Sequence, residues 1–133
     1  MIIQFLCLTL QTESLSRARR LDANRQKDNH TYYMEFQKTD IEGVFIIKPR
    51  VFEDKRGYFF EAFKQSEFDS NIGSHIDFIQ DNESKSGYGV LRGLHYQKGD
   101  KSQAKLVRVI KGRVVDVAVD LRRNSPTFGK HVM

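Results

Sequence analysis

The clearest prediction of fold comes from the stretch Leu106-Val107-Arg108-Val109-Ile110-Lys111-Gly112-Arg113-Val114-Val115, which places two valine-rich segments on either side of a Lys-Gly pair. Glycine at the second position of such a pair supplies the positive φ that a tight turn between strands requires, so the stretch predicts a β-hairpin. Strict alternation along the second strand puts four apolar residues on one face: Val115, Val117, Val119 and Leu121. Asp116 and Asp120 fall on the other face, where we expect solvated carboxylates.

Short apolar segments bounded by turn residues extend this β pattern along the chain. Strands are predicted at residues 44–47 (an apolar run stopped by Pro49), 57–63, 78–83, 90–97, 104–110, 113–121 and 127–132. In the aromatic run 57–63, alternation separates Tyr58, Phe60 and Ala62 from Phe59, Glu61 and Phe63. Only residues 64–72 have room for one or two helical turns. The pattern predicts an all-β sandwich or jelly roll with fewer strands than the usual eight or so, and an open edge that another chain must cover.

Composition divides the chain near Met34. Residues 11–33 are mostly polar and show no sustained apolar period, so we predict a disordered N-terminal extension at 1–33 and one folded domain at 34–133, with Met34 as the true translation start. The apolar opening of the chain is too short to span a bilayer, and it lacks the features of a signal peptide. Cys7 is the only cysteine of the sequence, which favours a reducing, cytoplasmic location.

The net charge of +5 suits an anionic small molecule. Nucleic acid is not the expected partner, because the cations are dispersed and no nucleic-acid-binding motif is present. No membrane partner is expected either.

A single histidine stands out in Val90-Leu91-Arg92-Gly93-Leu94-His95-Tyr96-Gln97. Imidazole exchanges protons near neutral pH, and Arg92 and Lys105 are nearby cations, so the pattern predicts proton transfer on an anionic substrate. The alternative is a histidine satisfied by local hydrogen bonds. Alternation separates Arg92 from His95 unless Gly93 bends the strand. The Lys105 ammonium suits an enolate oxygen better than a Schiff base, although an ordinary solvated lysine is the common alternative.

Arg56 and Glu61 flank the aromatic run. One interpretation is a surface ion pair that contributes little to stability. The other is a binding role, in which the Arg56 guanidinium holds a phosphate and the Glu61 carboxylate accepts hydrogen bonds from hydroxyl groups. A metal site is not predicted, since Gln97 occupies the position where a His-x-His pair would need its second ligand.

Taken together, these residues resemble the dTDP-4-dehydrorhamnose 3,5-epimerase family from about residue 43 to 130. The resemblance rests on six motifs: Asp54-Lys55-Arg56-Gly57-Tyr58-Phe59, Gln80-Asp81-Asn82, Gly89-Val90-Leu91-Arg92-Gly93-Leu94-His95-Tyr96-Gln97, Gln103-Ala104-Lys105-Leu106-Val107, Asp116-Val117-Ala118-Val119-Asp120-Leu121-Arg122 and Ser125-Pro126-Thr127-Phe128-Gly129-Lys130.

The resemblance implies a cupin-like jelly roll (double-stranded β-helix), C-terminally incomplete, and a reaction without metal or cofactor. The implied substrate is dTDP-4-dehydro-6-deoxy-D-glucose, epimerised at C3 and C5 to dTDP-4-dehydro-L-rhamnose. His95 matches the general base and Lys105 the lysine that stabilises the enolate. Substrate-binding positions are matched by Arg92 and by Gln80, Asp81 and Asn82. Arg56 and Glu61 match positions that reach the partner's site in a homodimer with exchanged N-terminal strands.

The chain departs from the family at both ends. Residues 1–33 have no counterpart, and the family continues past Met133 with a tyrosine that reprotonates the opposite face, a carboxylate that orients the histidine and residues that stack on thymine. The alternatives are a related single-carbon epimerase or ketoisomerase, and a jelly-roll fragment that binds a nucleotide-sugar without turnover. We expect that the chain alone folds poorly and is inactive.

Overall fold

The computed structural model describes residues 34–133. The predictions made for residues 1–33, including the disordered extension, the start at Met34 and the consequences of Cys7, lie outside the described residues. Within the described part, no helix has the length and apolar character needed to cross a membrane.

An antiparallel pair of strands opens the domain. Strand β1 (Met34–Lys38) runs against β2 (Phe45–Pro49), with Met34 opposite Pro49 and Lys38 opposite Phe45. The turn between them is closed at Thr39, whose hydroxyl and backbone N–H both donate to the Val44 carbonyl, at 3.0 and 3.2 Å. The strand predicted at 44–47 is thus confirmed as β2, with its start and end shifted by one or two residues.

The first hydrophobic cluster forms where helix α1 (Gln65–Ile72) packs on this sheet. Its buried members are Met34, Phe45, Ile47 and Phe68. Phe68 of α1 meets Phe63 at 4.7 Å between ring centroids and Phe36 at 5.1 Å. An eight-residue helix is marginal alone, so burial of Phe68 is what stabilises α1. The predicted short helix at 64–72 is confirmed.

A small exposed hairpin follows β2. Strand β3 (Phe52–Asp54) pairs with β4 (Gly57–Phe59), and the turn is closed by the Arg56 backbone N–H, which donates to Asp54 Oδ1 at 2.8 Å. Strand β4 is shorter than the predicted strand at 57–63. The predicted alternation holds, since Tyr58 stacks on Phe60 at 5.9 Å while Phe59 meets Phe52 across the hairpin.

The last two strands form a second, smaller cluster. Strand β5 (Ala118–Val119) pairs with β6 (His131–Val132), and Ala118 is buried with Ile41 and Val44, beside Val132. These strands are only two residues long each, much shorter than the predicted 113–121 and 127–132.

The prediction of a solvated Asp120 is wrong. Its side chain is buried, and the residue is 4% exposed. The carboxylate accepts bonds from Arg122 Nε and Nη2, both at 2.8 Å, and from the Ser125 and Thr127 hydroxyls. Burial is tolerated because these donors satisfy the charge. The side of the segment 113–121 that points into the protein therefore carries Ala118 and Asp120. Val115, on the side predicted to be buried, is 80% exposed.

The predicted central strands are not formed. Residues 79–117 pair in no sheet of the described chain; a 3₁₀ turn at Gly99–Lys101 is their one regular element. Gly112 has the expected positive φ of 96°, but the flanking valine-rich segments do not pair, and Ile110, Val114 and Val115 are exposed. A strand needs a hydrogen-bonded neighbour and a covered apolar face, which residues 34–133 do not provide here. The described fold is thus three two-stranded sheets and one short helix.

Candidate active site

His95 lies in an irregular, exposed segment just after Gly93. Gly93 has a φ of 123°, and a Cβ built on it would lie 3.3 Å from His95 Nδ1. The imidazole is therefore folded back against a backbone position that only glycine adopts without strain. Within residues 34–133 the ring makes no hydrogen bond or ion pair with Arg92 or Lys105.

The two cations that the sequence associates with His95 lie in different surroundings. Arg92 is exposed, and its guanidinium donates to Ser86 Oγ at 2.9 Å and to the Lys85 carbonyl at 3.4 Å. Lys105 is half-buried, next to Leu106, which packs against the first hydrophobic cluster. Packing of Leu106 thus anchors the backbone beside Lys105.

The run Gln80-Asp81-Asn82 is exposed but anchored at its start. Phe78, two residues earlier, meets Phe63 at 5.5 Å and Phe68 at 6.1 Å. Gln80 Nε2 donates to Asn82 Oδ1 at 3.4 Å, a long bond that brings these two amides together. Polar side chains thus begin where the aromatic cluster ends.

Arg56 does not pair with Glu61. Its guanidinium forms a fork with Asp54, with Nε 3.0 Å from Oδ2, and its side chain is 90% exposed. The Arg56 bonds hold the pKa of the Asp54 carboxyl below its ordinary value. A pair this exposed contributes little to stability. Glu61 is half-buried, and its Oε1 is buried without a hydrogen-bond donor among the described residues.

Two open clefts lie beside these residues. One, of about 560 Å³, follows the exposed hairpin and is lined by Arg56, Tyr58 and Phe59 among others. The other, of about 720 Å³, is lined by Tyr96, Lys98 and the loop that follows Asp120. Neither cleft is lined by His95.

The buried group that sequence reasoning missed is the Asp120 cluster. The Arg122 guanidinium is the largest cause that holds the pKa of Asp120 far below its ordinary value, with the Ser125 and Thr127 hydroxyls adding to it. The signal was present in the spacing: an arginine two residues after the aspartate, then serine and threonine at five and seven. Its function in this structure is to hold the loop between β5 and β6.

No group of three or more His, Cys, Asp and Glu residues in the described part of the chain is placed to hold a metal ion. Among the predicted residues, the structure brings Gln80 close to Asn82 and half-buries Glu61 and Lys105. Neither of the two clefts described above is lined by His95, Arg92 or Lys105.

Comparison with known proteins places this arrangement in context. Residues 38–133 match the family model described as dTDP-4-dehydrorhamnose 3,5-epimerase. The Shigella flexneri dTDP-4-dehydrorhamnose 3,5-epimerase is 54% identical over 99 residues, which are 74% of this chain and 55% of that protein. The chain therefore spans about half the length of the curated relatives it matches.

Solved structures give the same result. The crystal structure of dTDP-4-dehydrorhamnose 3,5-epimerase from Elizabethkingia anophelis is 55% identical with a TM-score of 0.72, covering 76% of this chain and 55% of that one. A Legionella pneumophila dTDP-6-deoxy-D-glucose-3,5-epimerase, solved in complex with dTDP-4-keto-L-rhamnose, is 47% identical with a TM-score of 0.70, covering 74% and 52%. On the match over residues 38–133, this chain belongs to the dTDP-4-dehydrorhamnose 3,5-epimerase family.

Proposed function

We propose that this chain carries the proton-abstracting part of an active site that epimerises dTDP-4-dehydro-6-deoxy-D-glucose at C3 and C5, giving dTDP-4-dehydro-L-rhamnose for dTDP-rhamnose biosynthesis. The observation that carries the proposal is the family match over residues 38–133, which include every predicted site residue. The ligand of the Legionella pneumophila neighbour, dTDP-4-keto-L-rhamnose, supports the same class of substrate.

Inversion at each carbon requires a base on one face and a proton donor on the other, together with one electrophilic group at the keto oxygen that both enolates share. The 4-keto group acidifies the adjacent C–H bonds; the base takes the proton, and the bonding electrons move to the keto oxygen to form an enolate. Return of a proton to the opposite face inverts the carbon, so the reaction consumes no co-reactant. His95 is the base in this proposal, a role worth roughly 10²–10⁴-fold, and the Lys105 ammonium stabilises the enolate oxygen.

The remaining predicted residues hold the substrate. Arg92 and the Gln80-Asp81-Asn82 run contact the nucleotide-sugar, whereas Arg56 and Glu61 reach it from a second copy of the chain. The exposed hairpin of β3 and β4 supports such a homodimer, because it presents the aromatic rings of Tyr58 and Phe59 and the outward Arg56 guanidinium without cover. An isolated two-stranded hairpin is marginal in water and gains stability from a partner sheet.

In the complete site, the central segments become strands of a jelly roll. Ile79, Leu91 and Leu94 are each more than three-quarters exposed here, and apolar side chains of that size favour a covered position. Coverage by further strands would both bury them and draw His95, Arg92 and Lys105 to one cavity. The match from residue 38 supports a domain at 34–133 preceded by a separate extension at 1–33.

A second function, binding of a nucleotide-sugar without turnover, is favoured by one observation. His95 is exposed, and among residues 34–133 it forms no hydrogen bond with Arg92, whose guanidinium binds Ser86 instead. Binding through Arg56 and the Gln80-Asp81-Asn82 run needs no such bond.

Solvent exchange separates these functions. The dTDP-4-keto-6-deoxy sugar is incubated with the chain in deuterated buffer, and NMR follows deuterium at C3 and C5, while calorimetry measures binding of the same sugar. The variants are His95→Ala and, as a matched exposed histidine, His131→Ala. Removal and return of a proton on one face require the base but not the donor on the opposite face. The catalytic proposal therefore predicts exchange with the parent and with His131→Ala, none with His95→Ala, and similar affinity for all three.

The opposite outcomes are equally clear. Affinity without exchange in any of the three proteins supports the binding function. Exchange at one carbon only supports a single-carbon epimerase or a ketoisomerase. Exchange that survives in His95→Ala refutes His95 as the base.

A further inference from the structure

A third histidine, outside the site proposed above, lies between two carboxylates just past the end of α1. His75 Nδ1 is 2.8 Å from Asp69 Oδ2, and His75 Nε2 is 2.9 Å from Asp77 Oδ1. Asp69 belongs to the last turn of α1, while Asp77 belongs to the segment that leaves it. The imidazole thus bridges the helix and the chain that follows.

Only the charged imidazole can make both contacts as hydrogen bonds. A neutral ring carries one N–H donor and one lone pair, whereas an ionised carboxylate only accepts. In the neutral ring, one nitrogen would direct its lone pair at a carboxylate oxygen. Since both distances are those of good hydrogen bonds, the geometry corresponds to the imidazolium form.

The bridge is part of a larger connection. Asp69 Oδ1 accepts from Gln65 Nε2 at 2.7 Å, and the same amide donates to the Ile76 carbonyl at 3.1 Å. One residue beyond Asp77, Phe78 enters the aromatic cluster with Phe68. The contacts of His75 therefore join the end of α1 to the segment that brings Phe78 back to the core.

We propose that His75 is a pH-dependent clip: its imidazolium ties the last turn of α1 to residues 76–78, and loss of the proton releases one of the two carboxylates. Asp69 and Asp77 are the charged groups that face the ring among the described residues. This inference is independent of the catalytic proposal.

The direction of the pH effect follows from the same contacts. The hydrogen bond to Asp69 is the largest cause that raises the pKa of His75 above its ordinary value, and the hydrogen bond to Asp77 is the next largest. A histidine whose pKa is raised on folding contributes its full stabilisation at pH values below its ordinary pKa of about 6.5. This contribution is lost as the pH rises through the higher pKa that the histidine has in the folded form. The clip is therefore closed in mildly acidic solution and open in alkaline solution.

NMR titration of the histidine ring signals in the full chain tests the clip. The His75 signal is assigned by its loss in His75→Gln. We expect its midpoint above about 6.5 in the parent, and closer to that value in Asp69→Asn and Asp77→Asn. Asp100→Asn, an exposed acid paired with Lys101, is the matched control and leaves the midpoint in place. A parent midpoint at the ordinary value, or one that neither Asn variant moves, overturns the proposal.

Hydrogen exchange of the Gly73 amide measures whether the C-terminal end of α1 opens when His75 loses its proton. This N–H donates to the Asp69 carbonyl at 3.0 Å and closes α1. We expect its protection factor to fall as the pH passes the His75 midpoint in the parent and to stay level in His75→Gln. Equal pH dependence in the two proteins, or none in the parent, shows that the ring does not hold the helix end.

Discussion

Replacing Asp120 by asparagine is the sharpest test of how the loop between β5 and β6 is held. Asparagine keeps the shape of the side chain but removes the charge that faces Arg122, whose side chain is only 18% exposed. Breaking a buried ion pair costs about 3–5 kcal/mol. Because the asparagine carbonyl still accepts one or two of the bonds, we expect a loss of about 2–4 kcal/mol of unfolding free energy.

Urea denaturation followed by circular dichroism measures this loss. With an m-value of about 1–3 kcal/mol per molar urea, a loss near 3 kcal/mol moves the midpoint down by about 1–3 M. The milder variant Thr127→Val removes one donor to the carboxylate, and we expect it to cost about 1–2 kcal/mol. It keeps the test informative if Asp120→Asn is too unstable to fold.

The same carboxylate predicts a pH effect of definite sign. Arg122 holds the pKa of Asp120 well below its ordinary value. Its contribution is therefore fully present above about pH 4, and it is lost as the pH falls toward the folded value. The stability gap between the parent and Asp120→Asn should narrow below about pH 4. If Asp120→Asn costs no more than the exposed-acid control Asp100→Asn, or if the gap is unchanged in acid, the reasoning about a buried, paired charge is refuted.

Three further substitutions test other features. Phe68→Ala removes the ring that holds α1 on the sheet, so urea denaturation should show a loss of about 3–5 kcal/mol in the free energy of unfolding. Phe128→Ala removes an exposed ring and should cost much less, and equal losses in the two variants would contradict the assigned core. Gly93→Ala places a Cβ beside His95 at a backbone φ of 123°, so it should lower deuterium exchange at C3 at least about ten-fold. Gly87 has open space around it, so Gly87→Ala should leave the exchange rate unchanged. Equal exchange rates in the two variants would show that the position of the His95 ring does not depend on Gly93. Arg56→Ala should leave the urea midpoint close to that of the parent, because its pair with Asp54 is exposed, while weakening calorimetric binding of the dTDP-sugar; unchanged affinity would remove Arg56 from the binding site.

Local patterns in the sequence predict local structure well in this chain. The apolar run at 44–47 becomes β2, residues 64–72 contain α1, and the alternation of Tyr58 and Phe60 is seen as a ring stack. Each of these depends on neighbours a few residues away, or on one nearby sheet. Such contacts are available within residues 34–133.

The predictions that failed depend on distant partners or on side-chain chemistry. Gly112 in the Lys111-Gly112 turn has its positive φ, but pairing also needs neighbouring strands to cover the apolar side chains, and Ile110, Val114 and Val115 remain exposed. Asp120 was expected in solvent because aspartate usually is, yet four side-chain donors from Arg122, Ser125 and Thr127 make burial favourable. Convergence of His95 with Arg92 and Lys105 remains a prediction, since it depends on strands that must close around them.

The junction between Val44 and Phe45 has a consequence for cooperativity. These adjacent residues point into different hydrophobic clusters, Val44 toward Ile41 and Ala118, Phe45 toward Ile47 and Phe68. Because neighbouring side chains in extended backbone point to opposite sides, one extra residue inserted here would turn Phe45 and the rest of β2 out of their cluster for as long as Val44 kept its own place. A single peptide unit thus couples the two halves of the domain, and they should melt together in one transition rather than in two.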